Sequence, residues 1–252
     1  MTITFHMFLI VCPLVFLAGF VDSIAGGGGL ISLPAYLIAG LPTHFAIGTN
    51  KLSSAVGTTV STYRFCKNKL VDWAVAVPSA VLALIGSVIG ANIALMVNDK
   101  VMKYILVIIL PVVAFYVLRG KSMKEGTKEE AISRRNVYLI ACLASFFCGA
   151  YDGFYGPGTG SFLILIYTGL AKMDVKIAAG NTKLVNLSSN IAALATFIIN
   201  GKIVFLLGIA AAVFSIAGHY IGAGMVMKNG QKVIKPIILT VLALLFIKVI
   251  FS

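Results

Sequence analysis

The chain has 252 residues, of which 60% are hydrophobic and 11% charged, and its mean hydropathy is +1.02. Soluble domains have about 25% charged residues, so this composition excludes an ordinary soluble protein and predicts a membrane protein. The net charge of +12 does not indicate nucleic-acid binding. Most Lys and Arg residues lie in short loops between apolar runs, and no continuous basic face with interleaved aromatic residues exists.

Ten apolar runs follow one another along the chain and fall into two sets of five. The first run has no basic segment before it and continues directly into Asp22, so we interpret it as a spanning helix and not as a signal peptide. The sixth run is expected to extend through Asp152, because a spanning helix needs about 20 residues. The runs are, approximately, Phe5–Ala25, Leu30–Leu41, Phe45–Tyr63, Trp73–Val97, Val101–Leu118, Val137–Ala150, Ser161–Ala171, Ile177–Ile199, Ile203–Val226 and Val233–Phe251.

Two stretches of similar layout organise the chain, namely Gly19–Leu52 and Gly149–Leu184. In each stretch an Asp within an apolar run is followed by a glycine-rich turn. A short apolar segment then leads to a polar cluster, which reads GTNKL in the first copy and GNTKL in the second. This repetition predicts two homologous half-sites.

The similarity continues beyond these stretches, since GSVIGANIAL from Gly86 matches GHYIGAGMVM from Gly218 at a spacing of 132 (218 − 86). The sequence therefore predicts an all-α polytopic membrane protein with two homologous halves of about five hydrophobic segments each. Each half contains one short, glycine-led half-helix. The first repeat covers residues 1–118, a basic linker covers 119–136, and the second repeat covers 137–252.

The linker carries six basic and three acidic residues, so the basic-loop rule predicts that it is cytoplasmic.

The short second segment of each half covers only about 18 Å as a helix, less than the bilayer core of about 30 Å. If both short segments span, 14 basic residues lie inside and 4 outside; if both re-enter, the numbers are 11 and 7. The first arrangement is favoured and gives inverted repeats, whereas parallel repeats remain an open alternative.

Four ionisable residues lie within apolar segments and away from any loop: Asp22, Asp152, Lys51 and Lys183. Each costs at least about 3 kcal/mol near the bilayer centre, so it needs a partner, water or a ligand. One interpretation is that each Asp neutralises a Lys and locks the helices together. The alternative is a wet cavity, because more polar residues accompany these four than an ion pair can satisfy.

The glycine-rich turns AGGGG and YGPGTG end where a short helix begins, and the free N–H groups of a helix start attract anions. With one embedded Lys in each half, the predicted ligand is a small oxyanion or a sulfonate. The predicted substrate-binding residues are Asp22, Ser23, Gly26, Gly27, Gly28, Gly29, Thr49, Asn50, Lys51, Asp152, Gly156, Gly158, Thr159, Asn181, Thr182, Lys183 and Asn186.

Other motifs predict structural roles or none. The GxxxG-spaced residues Gly86, Gly90, Gly218 and Gly222 are typical of close helix packing. The four cysteines have no paired spacing and no histidine partner, so no metal or cofactor is predicted. No phosphate-binding GxxxxGK[ST] loop is present, which disfavours direct drive by ATP. His44 and His219 have no counterpart in the other repeat and are expected to be local hydrogen-bonding groups, not proton carriers.

At AGFVDSIAGGGGLISLPAYLIAGLPTHFAIGTNKL, YDGFYGPGTGSF and NTKLVNLSSNIAAL, the chain resembles the TauE/SafE (sulfite exporter) family of membrane permeases, and most closely its YfcA-like branch. The resemblance implies transport of sulfur-containing anions such as sulfite, sulfoacetate or other organosulfonates, commonly as export across a bacterial or archaeal inner membrane. The motif positions are Asp22, Gly26 to Gly29, Asn50, Lys51, Asp152, Gly156, Gly158, Asn181 and Lys183. Pro157 and Thr159 interrupt the second glycine run, so the half-sites need not be equivalent.

The leading hypothesis is therefore a secondary transporter of a small sulfur-containing anion, working by alternating access of the two repeats, with Asp22 and Asp152 pairing the lysines or carrying a coupling proton. Its partners are the anion and the lipid bilayer; homo-oligomerisation is left open. The alternatives are an anion channel and a membrane-embedded sulfur-metabolism partner without transport activity. A membrane enzyme is disfavoured, since Cys66 is its one candidate nucleophile and lacks a convincing base.

Overall fold

A computed structural model describes residues 3–98, 101 and 132–250. The fifth predicted run beyond Val101 and linker positions 119–131 lie outside the described residues. The described part of the chain consists of α-helices and short connections, without strands, which confirms the predicted all-α class. The helices are α1 (Phe5–Ala25), α2 (Gly29–Ile38), α3 (Thr43–Lys67), α4 (Trp73–Met96), α5 (Arg134–Phe154), α6 (Thr159–Gly169), α7 (Val175–Ile199), α8 (Phe205–Asn229) and α9 (Gln231–Ile250).

Local sequence signals set several helix ends. Side chains at the residue before the helix accept hydrogen bonds from the first free N–H groups of α4, α5 and α7; these residues are Asp72, Ser133 and Asp174. Helix α1 ends at Gly26, whose φ of 74° favours glycine. Helix α5 begins at Arg134, inside the predicted linker, because the Ser133 cap starts it before the apolar run does.

Five helices (α1, α4, α5, α7 and α8) are long and apolar enough to cross a membrane. Large apolar side chains are exposed on the outer faces of the bundle; Phe5 on α1 is 76% exposed, Phe147 on α5 67% and Val213 on α8 61%. Apolar surface of this extent needs a non-aqueous environment. The chain is therefore a polytopic membrane protein.

Glycines allow the closest helix contacts. Helix α4 packs against α5, and α8 packs against α1. A Cβ atom on Gly86 or Gly90 would overlap backbone carbonyl oxygens of α5, and one on Gly218 or Gly222 would overlap those of α1. The predicted packing role of these four residues is thus confirmed.

Helices α3 and α7 lie against each other in antiparallel orientation. The Thr49 hydroxyl, near the start of α3, accepts a hydrogen bond from the Val204 N–H just beyond the end of α7 (3.0 Å). Reciprocally, Asn181 Oδ1, near the start of α7, accepts from the Asp72 N–H just beyond the end of α3 (2.9 Å). The two helices that carry the GTNKL and GNTKL motifs therefore run in opposite directions past one another.

We expect Gly90→Ala to destabilise the protein by about 1–3 kcal/mol, because the added methyl group forces α4 away from the Ala150 carbonyl of α5. The measurement is the midpoint of thermal unfolding of the detergent-purified protein. Gly224→Ala is the matched control: its methyl group would lie 3.1 Å from the end of the Arg64 side chain, which can move. Equal midpoints for wild type and Gly90→Ala would contradict the packing assignment.

Candidate functional site: a charged centre between the two halves

The two glycine-rich turns touch each other in the middle of the bundle. The Gly160 N–H donates to the Gly26 carbonyl (3.1 Å), and the Ser161 hydroxyl donates to the Ala25 carbonyl (2.7 Å). A Cβ atom on Gly26 would overlap the Gly160 backbone, and the positive φ of Gly26 also disfavours any side chain. Glycine is required here so that the end of α1, one turn after Asp22, can approach the start of α6.

The two lysines and two aspartates of the apolar segments form two ion pairs, and both pairs cross between the two halves of the chain. Lys51 Nζ lies 2.8 Å from Asp152 Oδ2, and Lys183 Nζ lies 3.5 Å from Asp22 Oδ2. Lys183 Nζ also donates to the Asp22 backbone carbonyl. Both lysines and Asp152 are buried, whereas the Asp22 side chain is 19% exposed. Each repeat thus neutralises the lysine of the other repeat.

Further polar groups complete the second half-site. Asp152 Oδ2 accepts a hydrogen bond from the Ser189 hydroxyl (2.7 Å), and Lys51 Nζ donates to Asn190 Oδ1 (3.1 Å). A buried ion pair is tolerated only when its remaining hydrogen-bonding capacity is also satisfied. Ser189 and Asn190 supply part of this capacity for the Lys51–Asp152 pair, and Lys51 also lines the cavity described below.

The first half-site is completed by different groups. Asp22 Oδ1 accepts from the Gly28 N–H (3.2 Å), which holds the carboxylate on the glycine turn. Asp22 Oδ2 lies 3.2 Å from Nε2 of His219, on α8. The two half-sites therefore share the Asp–Lys pair and differ in the group that hydrogen-bonds the carboxylate.

Between the half-sites lies a polar cavity of about 20 Å³. That volume is sufficient for about one water molecule and is too small for an anion of the size of sulfite, so the site is closed in this conformation. The cavity is lined by Asp22, Gly26, Gly29, Asn50, Lys51, Ser54, Asp152, Gly156, Thr159, Gly160, Asn186 and Asn190.

Two side-chain amides at this cavity have unused hydrogen-bonding capacity. Asn50 and Asn186 are each 5% exposed, and the Oδ1 atom of each has no hydrogen-bond partner among the described residues. Buried polar atoms are nearly always hydrogen-bonded in native proteins. Their position therefore favours a polar guest, water or ligand, within the cavity.

Nine of the residues predicted to bind substrate line this cavity: Asp22, Gly26, Gly29, Asn50, Lys51, Asp152, Gly156, Thr159 and Asn186. The others do not line it, although Lys183 and Gly28 contact Asp22 directly. The remaining six are Ser23, Gly27, Thr49, Gly158, Asn181 and Thr182.

Several of these six have structural contacts instead. Thr49 and Asn181 hydrogen-bond the backbone just before α8 and α4, as described above. They fall two positions from Lys51 and Lys183, and residues two apart lie on different faces of a helix. Ser23 donates to the Phe20 carbonyl and packs against Gly222 of α8. Sequence proximity to a motif lysine is thus a poor guide to which residues face the cavity.

Three lining residues were absent from the predicted set: Ser54, Gly160 and Asn190. Helical periodicity contains a signal for two of them, because Ser54 follows Asn50 and Asn190 follows Asn186 by four positions, which places each pair on one face.

His219 was expected to be only a local hydrogen-bonding group. Its contact with Asp22, 197 residues away, has no signature in local spacing. His44 is a hydrogen-bonding group as expected, but its contact is not local, since Nε2 lies 2.9 Å from the Ala94 carbonyl oxygen on α4, 50 residues away.

Fold and site together define a helical membrane protein in which two glycine-rich turns and two crossed ion pairs surround a small central cavity. Residues 11–249 match the family described as Sulfite exporter TauE/SafE, so the chain belongs to the TauE/SafE family.

Full-length relatives agree with this assignment. The chain is 34% identical to "Probable membrane transporter protein ORF9" of Sinorhizobium sp. over 98% of its length and 94% of that protein. It is 33% identical to "Probable membrane transporter protein YfcA" of Escherichia coli K12 over 99% and 94% of the two chains. It is 32% identical to a "Probable membrane transporter protein" of Haemophilus influenzae over 94% and 92%. No solved structure matches the chain significantly.

Pairing of each lysine with the aspartate of the other half predicts which second substitution restores stability, and pairing within one half predicts a different one. Lys51→Ala leaves Asp152 buried and unpaired, which we expect to cost about 3–5 kcal/mol. Adding Asp152→Ala should recover most of this loss, whereas adding Asp22→Ala should not. The thermal unfolding midpoints of the single and double variants in detergent measure the effect; preferential rescue by Asp22→Ala would contradict the crossed arrangement.

Proposed function

We propose that this protein is a secondary transporter that exports small sulfur-containing anions, such as sulfite or organosulfonates, with proton coupling. The observation that carries the proposal is the closed polar cavity bounded by two crossed Asp–Lys pairs. The printed description of the family, sulfite exporter, supports the choice of a sulfur-containing anion. The names of the full-length relatives state transport and no substrate.

Lysine and cavity amides supply the chemistry that recognises an oxyanion. Lys51 Nζ lines the cavity, and the amide groups of Asn50 and Asn186 can turn their N–H groups towards a guest. Ammonium and amide N–H groups are the donors that bind sulfonate and sulfite oxygens. The cavity must expand before such an anion enters, as expected of a transporter between its open states.

Charge balance favours a proton as the coupling ion. The two carboxylates and two lysines of the centre sum to zero, so an entering anion adds an uncompensated charge in a buried site. Uncompensated buried charges cost several kcal/mol. Protonation near Asp22 or Asp152 supplies the missing positive charge, because a neutral carboxyl group leaves its lysine available to the anion. The anion and the proton are then bound together and released together, so the pair crosses as a neutral unit and its export is driven by the outward gradient of the anion.

Alternating access fits the arrangement of α3 and α7. Their antiparallel contact supports inverted repeats. In such repeats the two halves exchange roles when the protein opens to one side of the membrane or to the other. Because each ion pair joins the two halves, separation of the halves must break or rearrange a pair. Anion and proton binding can thereby be linked to the movement.

The membrane setting and the absence of catalysis complete the proposal. We place the protein in the inner membrane with the linker 119–136 on the cytoplasmic side, on the basis of its basic residues. Transport needs no nucleophile, and the half-buried Cys66 is not among the residues that line the cavity. Proton-coupled movement of the anion therefore accounts for the site without a covalent step.

Anion binding should raise the unfolding temperature of the purified protein, because a ligand of the folded state stabilises it by mass action. The panel is sulfite, thiosulfate, sulfoacetate and methanesulfonate, with sulfate, phosphate and acetate as comparison anions. We expect a saturable rise for at least one of the first four. The rise should be lost in Lys51→Ala and Lys183→Ala.

Lys67→Ala, which removes an exposed lysine at the end of α3, controls for loss of positive charge as such and should keep the wild-type response. A response to every anion that survives in Lys51→Ala and Lys183→Ala would show nonspecific stabilisation. No response to any sulfur-containing anion in wild type, together with no exchange of labelled anion in proteoliposomes, would refute the proposed substrate class.

A further inference from the structure

Both ring nitrogens of His219 face oxygen atoms that accept hydrogen bonds. Nδ1 lies 2.9 Å from the Ser215 carbonyl oxygen, and Nε2 lies 3.2 Å from Asp22 Oδ2. The side chain is 2% exposed, so water does not take over either contact. The hydroxyls of Ser215 and Thr58 lie further away, at 3.3 Å from Nδ1 and 3.5 Å from Nε2.

Both of the shorter contacts are hydrogen bonds at once when the pair holds one more proton than a neutral imidazole and an ionised carboxylate possess. A backbone carbonyl can only accept, so a hydrogen bond to the Ser215 carbonyl needs a proton on Nδ1, and a neutral imidazole with its proton there has a lone pair on Nε2. That lone pair would face the Asp22 carboxylate, which also only accepts when ionised. A proton held between Nε2 of His219 and Oδ2 of Asp22 converts this contact between two acceptor atoms into a hydrogen bond. When it leaves, the Thr58 hydroxyl is placed to donate to Nε2.

Few charged groups lie around His219 within the described residues. Helix α1 contributes Asp22, and α7 contributes Lys183, whose Nζ reaches the same carboxylate oxygen. Helix α3 contributes the Thr58 hydroxyl, while its Arg64 is turned to the Tyr220 carbonyl and ring. On α9 the described lysines Lys232 and Lys235 are exposed and do not hydrogen-bond the His219 ring. With the proton the cluster has a charge of +1, and without it the charge is zero.

The other half-site has no equivalent proton position. At the repeat spacing of 132, His219 corresponds to Ser87, and Ser189, which hydrogen-bonds Asp152, corresponds to Gly57. A Cβ atom on Gly57 would overlap the His219 ring, so the imidazole fits only because this residue is glycine. Ser87 is turned to the Ser189 carbonyl (2.6 Å). Each Asp therefore has one side-chain partner besides its lysine, and only the partner of Asp22 is titratable.

We propose that the coupling proton is carried between His219 Nε2 and Asp22 Oδ2, and that the Lys51–Asp152 half-site stays a fixed ion pair. The inference rests on the proposed function for its transport role and deepens it by assigning the proton to one half-site. The proton arrives from water on the side to which the cavity is open. It gives the cluster the single positive charge that a monovalent anion neutralises, and it returns to water when the anion leaves.

The test uses His219→Gln, whose amide can still donate to Asp22 but does not titrate. Reconstituted protein is assayed for counterflow of labelled methanesulfonate as a function of pH. In this variant the carboxyl group alone must take the proton, so the pH at half-maximal counterflow should fall by at least about one unit. Accumulation driven by a pH gradient at neutral pH should be lost. An unchanged pH profile with unchanged accumulation would overturn the assignment.

Two further variants serve as controls for this experiment. Ser189→Ala removes the corresponding hydrogen bond to Asp152 and should keep the wild-type pH profile even if the rate falls; the same acid shift in Ser189→Ala would overturn the proposal. His219→Ser introduces the residue that stands at the equivalent position of the other half, and it should reproduce the shift if the glutamine variant fails to fold.

A measurement without any anion separates this inference from the proposed function. The stability that the shared proton gives the folded protein is lost as the pH rises and the proton leaves. The difference in unfolding midpoint between wild type and His219→Gln should therefore shrink with rising pH. Parallel curves for the two proteins would overturn the proton assignment, whereas absence of anion counterflow in wild type would count against the proposed function alone.

Discussion

The structure depends on the need to neutralise two lysines and two aspartates that are held away from water. Isolated charges in this environment are costly, and each lysine finds its carboxylate only in the other repeat. The pairs therefore require that α3 and α7 lie side by side and that α1 and α5 end beside them. The glycine turns follow from the same requirement, because only a backbone without Cβ atoms lets the end of α1 come so close to the start of α6.

The centre has two half-sites of similar composition, and they differ at a few positions. Gly57 makes room for the His219 ring next to Asp22, whereas Ser189 at the equivalent position hydrogen-bonds Asp152 directly. On the proposed assignment, one half-site changes its charge with a proton and the other keeps a fixed charge. Such a division suits coupled transport, since one site can respond to pH while the other keeps an ammonium group at the cavity.

The helices could be predicted from the sequence because hydropathy and length act locally. Most bounds agree with the apolar runs to within a few residues, and the deviation at Arg134 has a local cause in the Ser133 cap. The two Asp and two Lys residues of the centre were also predictable, since an ionisable residue inside an apolar segment is conspicuous. The assignment to the TauE/SafE family follows from the same motifs.

Other features were not predictable because they depend on how distant helices pack. Sequence repetition is the same whether Lys51 pairs with Asp22 or Asp152, and only the antiparallel contact of α3 and α7 decides between them. Thr49 and Asn181 share a motif with the lysines but lie on another helix face. The contact of His219 with Asp22 depends on the space above Gly57, a property of three helices together.

The central claim is that an anion enters this neutral centre only with a compensating proton. The most direct measurement records internal pH and labelled methanesulfonate uptake together in proteoliposomes with the membrane potential clamped at zero. The account predicts saturable uptake with about one proton moved for each monovalent anion, since an unpaired buried charge is too costly. Anion flux without accompanying proton movement, rising in proportion to concentration without saturation, would contradict it and indicate a channel.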